Sequence, residues 1–155
     1  MANDPKPVKT IPREKAVFRL DKNGNWRVED EKFTHRKIIN RFHSLIKKDQ
    51  GGFFLEQEHR HYIEKVYFPY EDTALFVIRI DDKDGLTLCL NTGAQIPLDP
   101  EQLLVKNDDL YVRYGEDLIK FNGNALVTLA GYLEDAADEY VVNINGKKHV
   151  ISRME

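Results

Sequence analysis

Apolar residues at 38, 39, 42, 45 and 46 recur on one helical face, which makes residues 33–49, FTHRKIINRFHSLIKKD, the clearest periodic stretch of the chain. Thr34 stands where an N-cap belongs, with Phe33 and Ile38 at the two positions of a hydrophobic staple. Gly51 and Gly52 follow, as a left-handed C-terminal cap requires. The same grammar returns at Phe121, Asn122 as N-cap, Leu126, Leu129, Ala130, Leu133, Ala136 and Ala137. It predicts a second helix over about 123–139.

Between and around the helices the pattern has period two. Residues 16–20 and 26–28 flank Asn23-Gly24, the strongest short hairpin signal, and 53–57 with 61–66 form a second hairpin turning at 58–60. Residues 67–70 extend it, Pro69 marking an edge or a bulge. TALFVIRI at 73–80 is apolar on both faces except at Arg79, as a central strand would be. Residues 86–91 return antiparallel, and Thr92-Gly93 turns into 95–98. Further strands are expected at 103–105, 110–114, 118–121, 140–144 and 149–151, the last two joined by Asn145-Gly146. Phe33 matches Phe121, Leu45 matches Leu133, Phe53 matches Tyr140 and Ile63 matches Ile151, at an offset of 87 to 88 residues. The expected fold is therefore α+β, with two related hairpin–helix–hairpin halves whose mostly antiparallel sheets each pack with one helix. We expect an arm at 1–15 that is mobile unless residues 8–11 find a partner, a first half at 16–100 and a second at 101–155, sharing one core. The middle strands are expected to enlarge the first half's sheet.

Composition narrows the functional classes. At 155 residues, 41% hydrophobic and 32% charged, the chain can bury a core and stay solvated. A net charge of −3 gives no reason to expect nucleic acid or an anionic membrane as partner. The longest apolar run, 74–78, is far below the roughly 20 residues of a membrane span, and 1–15 carries no apolar leader core. Cys89 is the only cysteine, so no internal disulfide forms, and inside LTLCL it reads as a small buried hydrophobe. A cytoplasmic protein with no cofactor is the expectation.

Candidate chemistry is sparse. His59, His61 and Glu64 could share one strand face as metal ligands, but His59 falls at the hairpin turn, so no metal site is expected. Asp81, Asp82 and Asp84 before Gly85 lack the spacing of a calcium loop. No phosphate-cradling loop, nucleophile elbow or dinucleotide fingerprint is present. Arg79 in its apolar strand, Asn91 and Gly93 at a strand end, and Arg113 alternating with Val112 and Tyr114 are the better candidates, since a guanidinium can hold a carboxylate or phosphate in bidentate fashion. With Glu64 they make the candidate ligand-binding set. The function expected is a non-catalytic module for an unknown small molecule or protein. The alternative is a small hydrolase using the first half's histidines and acids Glu56, Glu58, Glu64, Glu71 and Asp72. The first helix region carries Arg36, Lys37, Arg41, Lys47 and Lys48, and the second Glu134, Asp135, Asp138 and Glu139. Those acids would crowd a helix C-terminus, which its dipole disfavours, and a homodimer joining basic to acidic helix would explain them.

Several stretches, in order, carry a resemblance. DKNGNW, GGFFL, IEKV with YEDTALFV, LTLCLNTG and YVRYGEDL make the chain similar to a bacterial family known as domain of unknown function 1285, over about residues 20–133. The resemblance implies two repeated α+β motifs and a role in signalling or ligand sensing. Two departures stand out: His61-Tyr62 where that family tends to have Thr-Pro, and Asn122-Gly123 in place of its basic residue.

Overall fold

The computed structural model describes residues 5–154, and the chain divides between Ala74 and Leu75 into two units. The first holds strands β1 (Val8–Ile11), β2 (Arg19–Leu20), β3 (Trp26–Val28) and β4 (Glu31–Lys32), helix α1 (Arg36–Ser44), then β5 (Ile46–Asp49), β6 (Gly52–Glu58) and β7 (Ile63–Tyr67). Strands β2, β3 and β4 form one antiparallel sheet, and a second has the order β1-β7-β6-β5. The Asn23-Gly24 turn forms as its residue types require. Gly24 takes φ +81°, and the Asp21 carboxylate accepts the N–H groups of Asn23 and Asn25 at 2.9 Å each. Residues 8–11 of the N-terminal arm find their partner within the unit: β1 pairs in parallel with β7, Val8 opposite Ile63, and Arg13–Lys15 make a 3-10 turn. Residues 1–4 of that arm lie outside the described residues.

Helix α1 is shorter than its apolar pattern implies. The chain leaves it after Ser44, and Ile46 pairs with Leu55 while Asp49 pairs with Gly52. Leu45 and Ile46 fit either period; the buried run Phe53, Phe54 and Leu55 across the hairpin decides for strand. Gly52, at φ +110°, therefore closes a hairpin instead of capping a helix. The N-cap is His35, without a side-chain cap bond, in place of Thr34. Ile38 is 45% exposed, so the staple is not made, and Phe33 meets Phe42 edge-on at 5.2 Å instead. The core centres on Trp26, edge-on to Phe68, Phe42 and Phe18 at 5.0, 5.3 and 5.7 Å. Its Nε1–H donates to Nδ1 of buried His43 at 3.0 Å.

The second unit comprises β8 (Phe76–Asp81), β9 (Thr87–Leu90), β10 (Gln95–Pro97), β11 (Leu103–Lys106), β12 (Asp109–Tyr114), β13 (Asp117–Phe121), helix α2 (Gly123–Ala130), β14 (Leu133–Ala136), β15 (Glu139–Ile144), β16 (Lys147–Val150) and β17 (Ser152–Met154). A seven-stranded sheet has the order β10-β9-β8-β13-β12-β11-β17, beside a smaller one of β14-β15-β16. The middle strands thus belong to this unit and not to the first half's sheet: β8, apolar on both faces, pairs in parallel with β13, Phe76 opposite Lys120. Val77, Leu88, Leu103, Val112 and Ile119 form the core with Ala125 and Leu129 of α2. Asn122 caps α2 as expected, its Oδ1 accepting from the Ala125 N–H at 2.9 Å. The helix stops at Ala130, however, and the four acids expected at its C-terminal end lie on the β14–β15 hairpin, where Ala137 takes φ +53°. There they stand at no helix C-terminus, and no helix dipole opposes them.

One register recurs. Ile46 opposite Leu55 and Asp49 opposite Gly52 are followed 87 residues on by Leu133 opposite Val142 and Ala136 opposite Glu139. After each helix the same bond forms, Glu56 N–H to the Leu45 carbonyl at 3.0 Å and Asn143 N–H to that of Tyr132 at 2.7 Å.

Phe121 and Phe33 differ in burial, and so in expected cost. Phe121, 4% exposed, should lose about 4 kcal/mol on substitution by alanine, and half-buried Phe33 less than about 2 kcal/mol. Urea titration of both variants checks this; equal losses would contradict the packing described.

Candidate ligand-binding site

The β2–β3–β4 sheet sets three cations in a row. Its register places Leu20 opposite Trp26, both 1% exposed and facing inward. With period two, Arg19 opposite Arg27, and Arg27 opposite Lys32, share the other face. Like charges directly opposite each other on paired strands cost roughly 0.2–1 kcal/mol, so this row works against the sheet that carries it. Both guanidinium groups are held in place. Arg27 Nε donates to Asp21 Oδ2 at 2.7 Å and its Nη1 to the Asp30 carbonyl at 3.3 Å, while Arg19 Nη2 donates to the Glu29 carbonyl at 3.1 Å. Arg27 Nη2 and Arg19 Nε and Nη1 have no protein partner among the described residues. Partial burial pushes the Asp21 carboxyl up, but the hydrogen bonds from Arg27, Asn25 and Asn23 outweigh it and hold the acid below its ordinary value.

Beside this row opens a cleft of about 420 Å³, lined by Arg19, Arg27 and Lys22, by Leu20, Pro69 and Tyr70, and by the carboxylates of Asp21 and Glu71. That size suits a small organic ligand. The Tyr70 ring is fixed edge-on against Phe53 at 5.0 Å, with the Arg13 guanidinium 5.4 Å from its centroid. Leu20 N–H donates to the Pro69 carbonyl at 3.0 Å and ties the two walls together. The charge balance of the units agrees: residues 1–74 hold 15 Lys and Arg against 12 Asp and Glu, and residues 75–155 hold 8 against 14. Chemically, the cleft offers oriented N–H donors to an anion and an apolar wall to whatever the anion is attached to.

The residues singled out from sequence lie elsewhere. Arg79 on β8 pairs with Asp81 of its own strand, Nε to Oδ1 at 3.1 Å, and its Nη2 reaches Cys89 Sγ at 3.4 Å. That guanidinium holds the Asp81 carboxyl below its ordinary value. Asn91 is buried, its Oδ1 accepting from Phe76 N–H at 3.0 Å, and Gly93, at φ +96°, makes the turn after it. Arg113 lines two cavities of about 150 and 340 Å³ and has no side-chain partner among the described residues. Arg79 and Arg113 stand five positions and two strands apart, about 19 Å at roughly 3.3 Å per residue and 4.8 Å per strand, so no single small ligand takes both. Glu64 belongs to the first unit, 3.6 Å from Nε2 of His59, which is buried without a hydrogen-bond partner among the described residues and whose ring stacks on Tyr62. Of the acids and histidines considered for hydrolysis, only Glu71 lines the cleft. Among the described residues no group of three or more His, Cys, Asp or Glu is placed to hold a metal ion, and no helix is long and apolar enough to cross a membrane. Arg19, Arg27 and Tyr70, which line the cleft, are not among the residues that stand out in sequence, although RL-DKNGN-WR, symmetric about its turn, contains the signal for the arginine pair.

No protein-family model matches the sequence, and no curated protein matches it. Solved structures do. A crystal structure of a DUF1285 family protein from Silicibacter pomeroyi superposes with a TM-score of 0.59 at 14% identity, over 96% of this chain and 83% of that one. Another, from Shewanella baltica, gives 0.50 at 18% identity, over 71% of this chain and 87% of that one. The chain therefore resembles the domain of unknown function 1285 family, with which it shares its fold.

Proposed function

We propose that this chain is a non-catalytic binding module whose first unit holds a small anionic ligand in the cleft beside the turn at residues 21–25. The observation that carries the reading is the Arg19–Arg27 pair, placed directly opposite at a cost to the sheet, oriented by backbone carbonyls, and lining a cleft of about 420 Å³. The ligand carries a carboxylate or phosphate for the guanidinium groups and an apolar body for Pro69 and Tyr70. The two units are read as copies of one hairpin–helix–hairpin motif, which the constant offset of 87 residues supports. The sensing role that the family resemblance implies supports a place in bacterial signalling, in the cytoplasm.

The test is thermal unfolding with inorganic phosphate, phenyl phosphate and benzoate. A ligand at ten times its Kd adds about 1.4 kcal/mol of stability, enough to raise the transition measurably. At least one aryl anion should do so saturably, and Arg19→Gln and Arg27→Gln should each remove the effect. A shift that survives both substitutions, or none with any probe up to about 10 mM, a weak-binding limit, would overturn the reading.

A further inference from the structure

Helix α2 presents an apolar surface that its own unit leaves uncovered. None of its eight residues, GNALVTLA, is charged, and only Ala125 and Leu129 are buried. Val127 is 76% exposed and Leu126 39%, in a chain in which 32% of residues are charged. Two adjacent exposed aliphatic side chains on an uncharged helix can form the apolar centre of a contact when a rim of charge lies beside them. The rim is present. A cavity of about 530 Å³ adjoins the end of the helix, lined by Ala130, Leu133 and Tyr140 together with Asp135, Asp138 and Glu139. Glu134 is engaged by Lys148 and Asn143, but the other three carboxylates have no partner among the described residues.

Helix α1 offers the complement. Arg36, Lys37 and Arg41 stand exposed around the exposed Ile38, and none of the three has a side-chain partner among the described residues. Three unpaired cations around one aliphatic side chain thus match three unpaired carboxylates beside two. Arg153 lines the same cavity, but it donates to the Asp138 backbone carbonyl and lies over the Tyr140 ring rather than pairing with any of the three carboxylates. We infer that α1 of one molecule docks on the α2 surface of a second copy of this chain, Ile38 against Leu126 and Val127, with the charges forming the rim. Attraction between a unit with a surplus of bases and one with a surplus of acids steers the encounter, and the apolar centre holds it. Made twice about a twofold axis the contact closes a dimer; made once per molecule it runs head to tail.

Sedimentation velocity at about 50 mM and about 500 mM salt, which shortens the screening length severalfold, tests the inference. Association at low salt should weaken by about tenfold or more at high salt, as a contact steered by several charges does. Arg41→Glu and Val127→Asp, both on exposed positions and so without consequence for folding, should each weaken it. Arg41→Glu combined with Glu139→Arg in the same chain should restore it. A monomer at both salt concentrations, or association indifferent to salt and to both single substitutions, would sink the idea.

Discussion

Acidification from pH 6.5 to 4 is expected to remove about 3 kcal/mol of stability through one side chain, His43. Burial pushes the His43 imidazolium down to a pKa of about 4, against an ordinary value of about 6.5. The Trp26 Nε1–H···Nδ1 bond sets the same direction, since protonated Nδ1 would be a donor facing a donor. The folded pKa is depressed, so between the two values the unfolded chain binds the proton and the folded chain does not. This contribution is complete above about pH 6.5, falls as the pH drops, and is spent near pH 4. His43→Asn keeps an acceptor near the Nδ1 position but does not titrate. The variant should be less stable at neutral pH and should lack this slope in urea titrations. The comparison between the two proteins isolates the histidine, because the carboxylates that also lose stability in acid do so equally in both. A variant profile parallel to that of the parent would show that His43 is not the titrating group.

Trp26→Ala should be the most damaging single substitution in the first unit. Removing a ring that is 1% exposed typically costs 3–5 kcal/mol, roughly, and here the loss also strips His43 of its donor and Phe18, Phe42 and Phe68 of the ring they surround. Against a total domain stability of about 5–15 kcal/mol, that leaves the unit marginal. Trp26→Phe retains most of the packing and should cost about half as much. Far-UV circular dichroism during denaturant titration measures both. A Trp26→Ala loss below about 1 kcal/mol would contradict the central place of this ring. Because Trp26 also pairs with Leu20, the wall of the cleft, binding of an aryl anion should weaken in Trp26→Ala even where the protein stays folded.

Local chemistry and hairpin pairing are legible in the sequence, and pairing between strands distant along the chain is not. Asn23-Gly24, Asn145-Gly146 and the Asn122 cap each act through atoms within a few residues, and each forms as read. Both helices were read too long for one reason. LIKKD and LEDAAD satisfy helical spacing, and only their partners across the hairpin, Phe53 to Leu55 and Tyr140 to Val142, make them strands. The parallel pairing of β8 with β13 joins residues 76 and 120, and nothing near either announces it. The arginines divide on the same ground. Arg79 and Arg113 stand out as residue types within their strands, whereas Arg19 and Arg27 come together through register, which exists only once the turn is closed.

The parallel pairing of β1 with β7 also bears on how the chain is made. Its partners, Val8 with Ile63 through Ile11 with Val66, are separated by 55 residues, so a growing chain meets this contact late. At roughly 5–20 residues per second, the first strand waits about 3–11 s on the ribosome before its partner has been synthesised. The β2–β3–β4 meander, complete by Lys32, can close first from contacts that span few residues. During that interval Val8 and Ile11 are free for a chaperone, a protease or a neighbouring nascent chain, and the vulnerable period of this protein falls within its own synthesis.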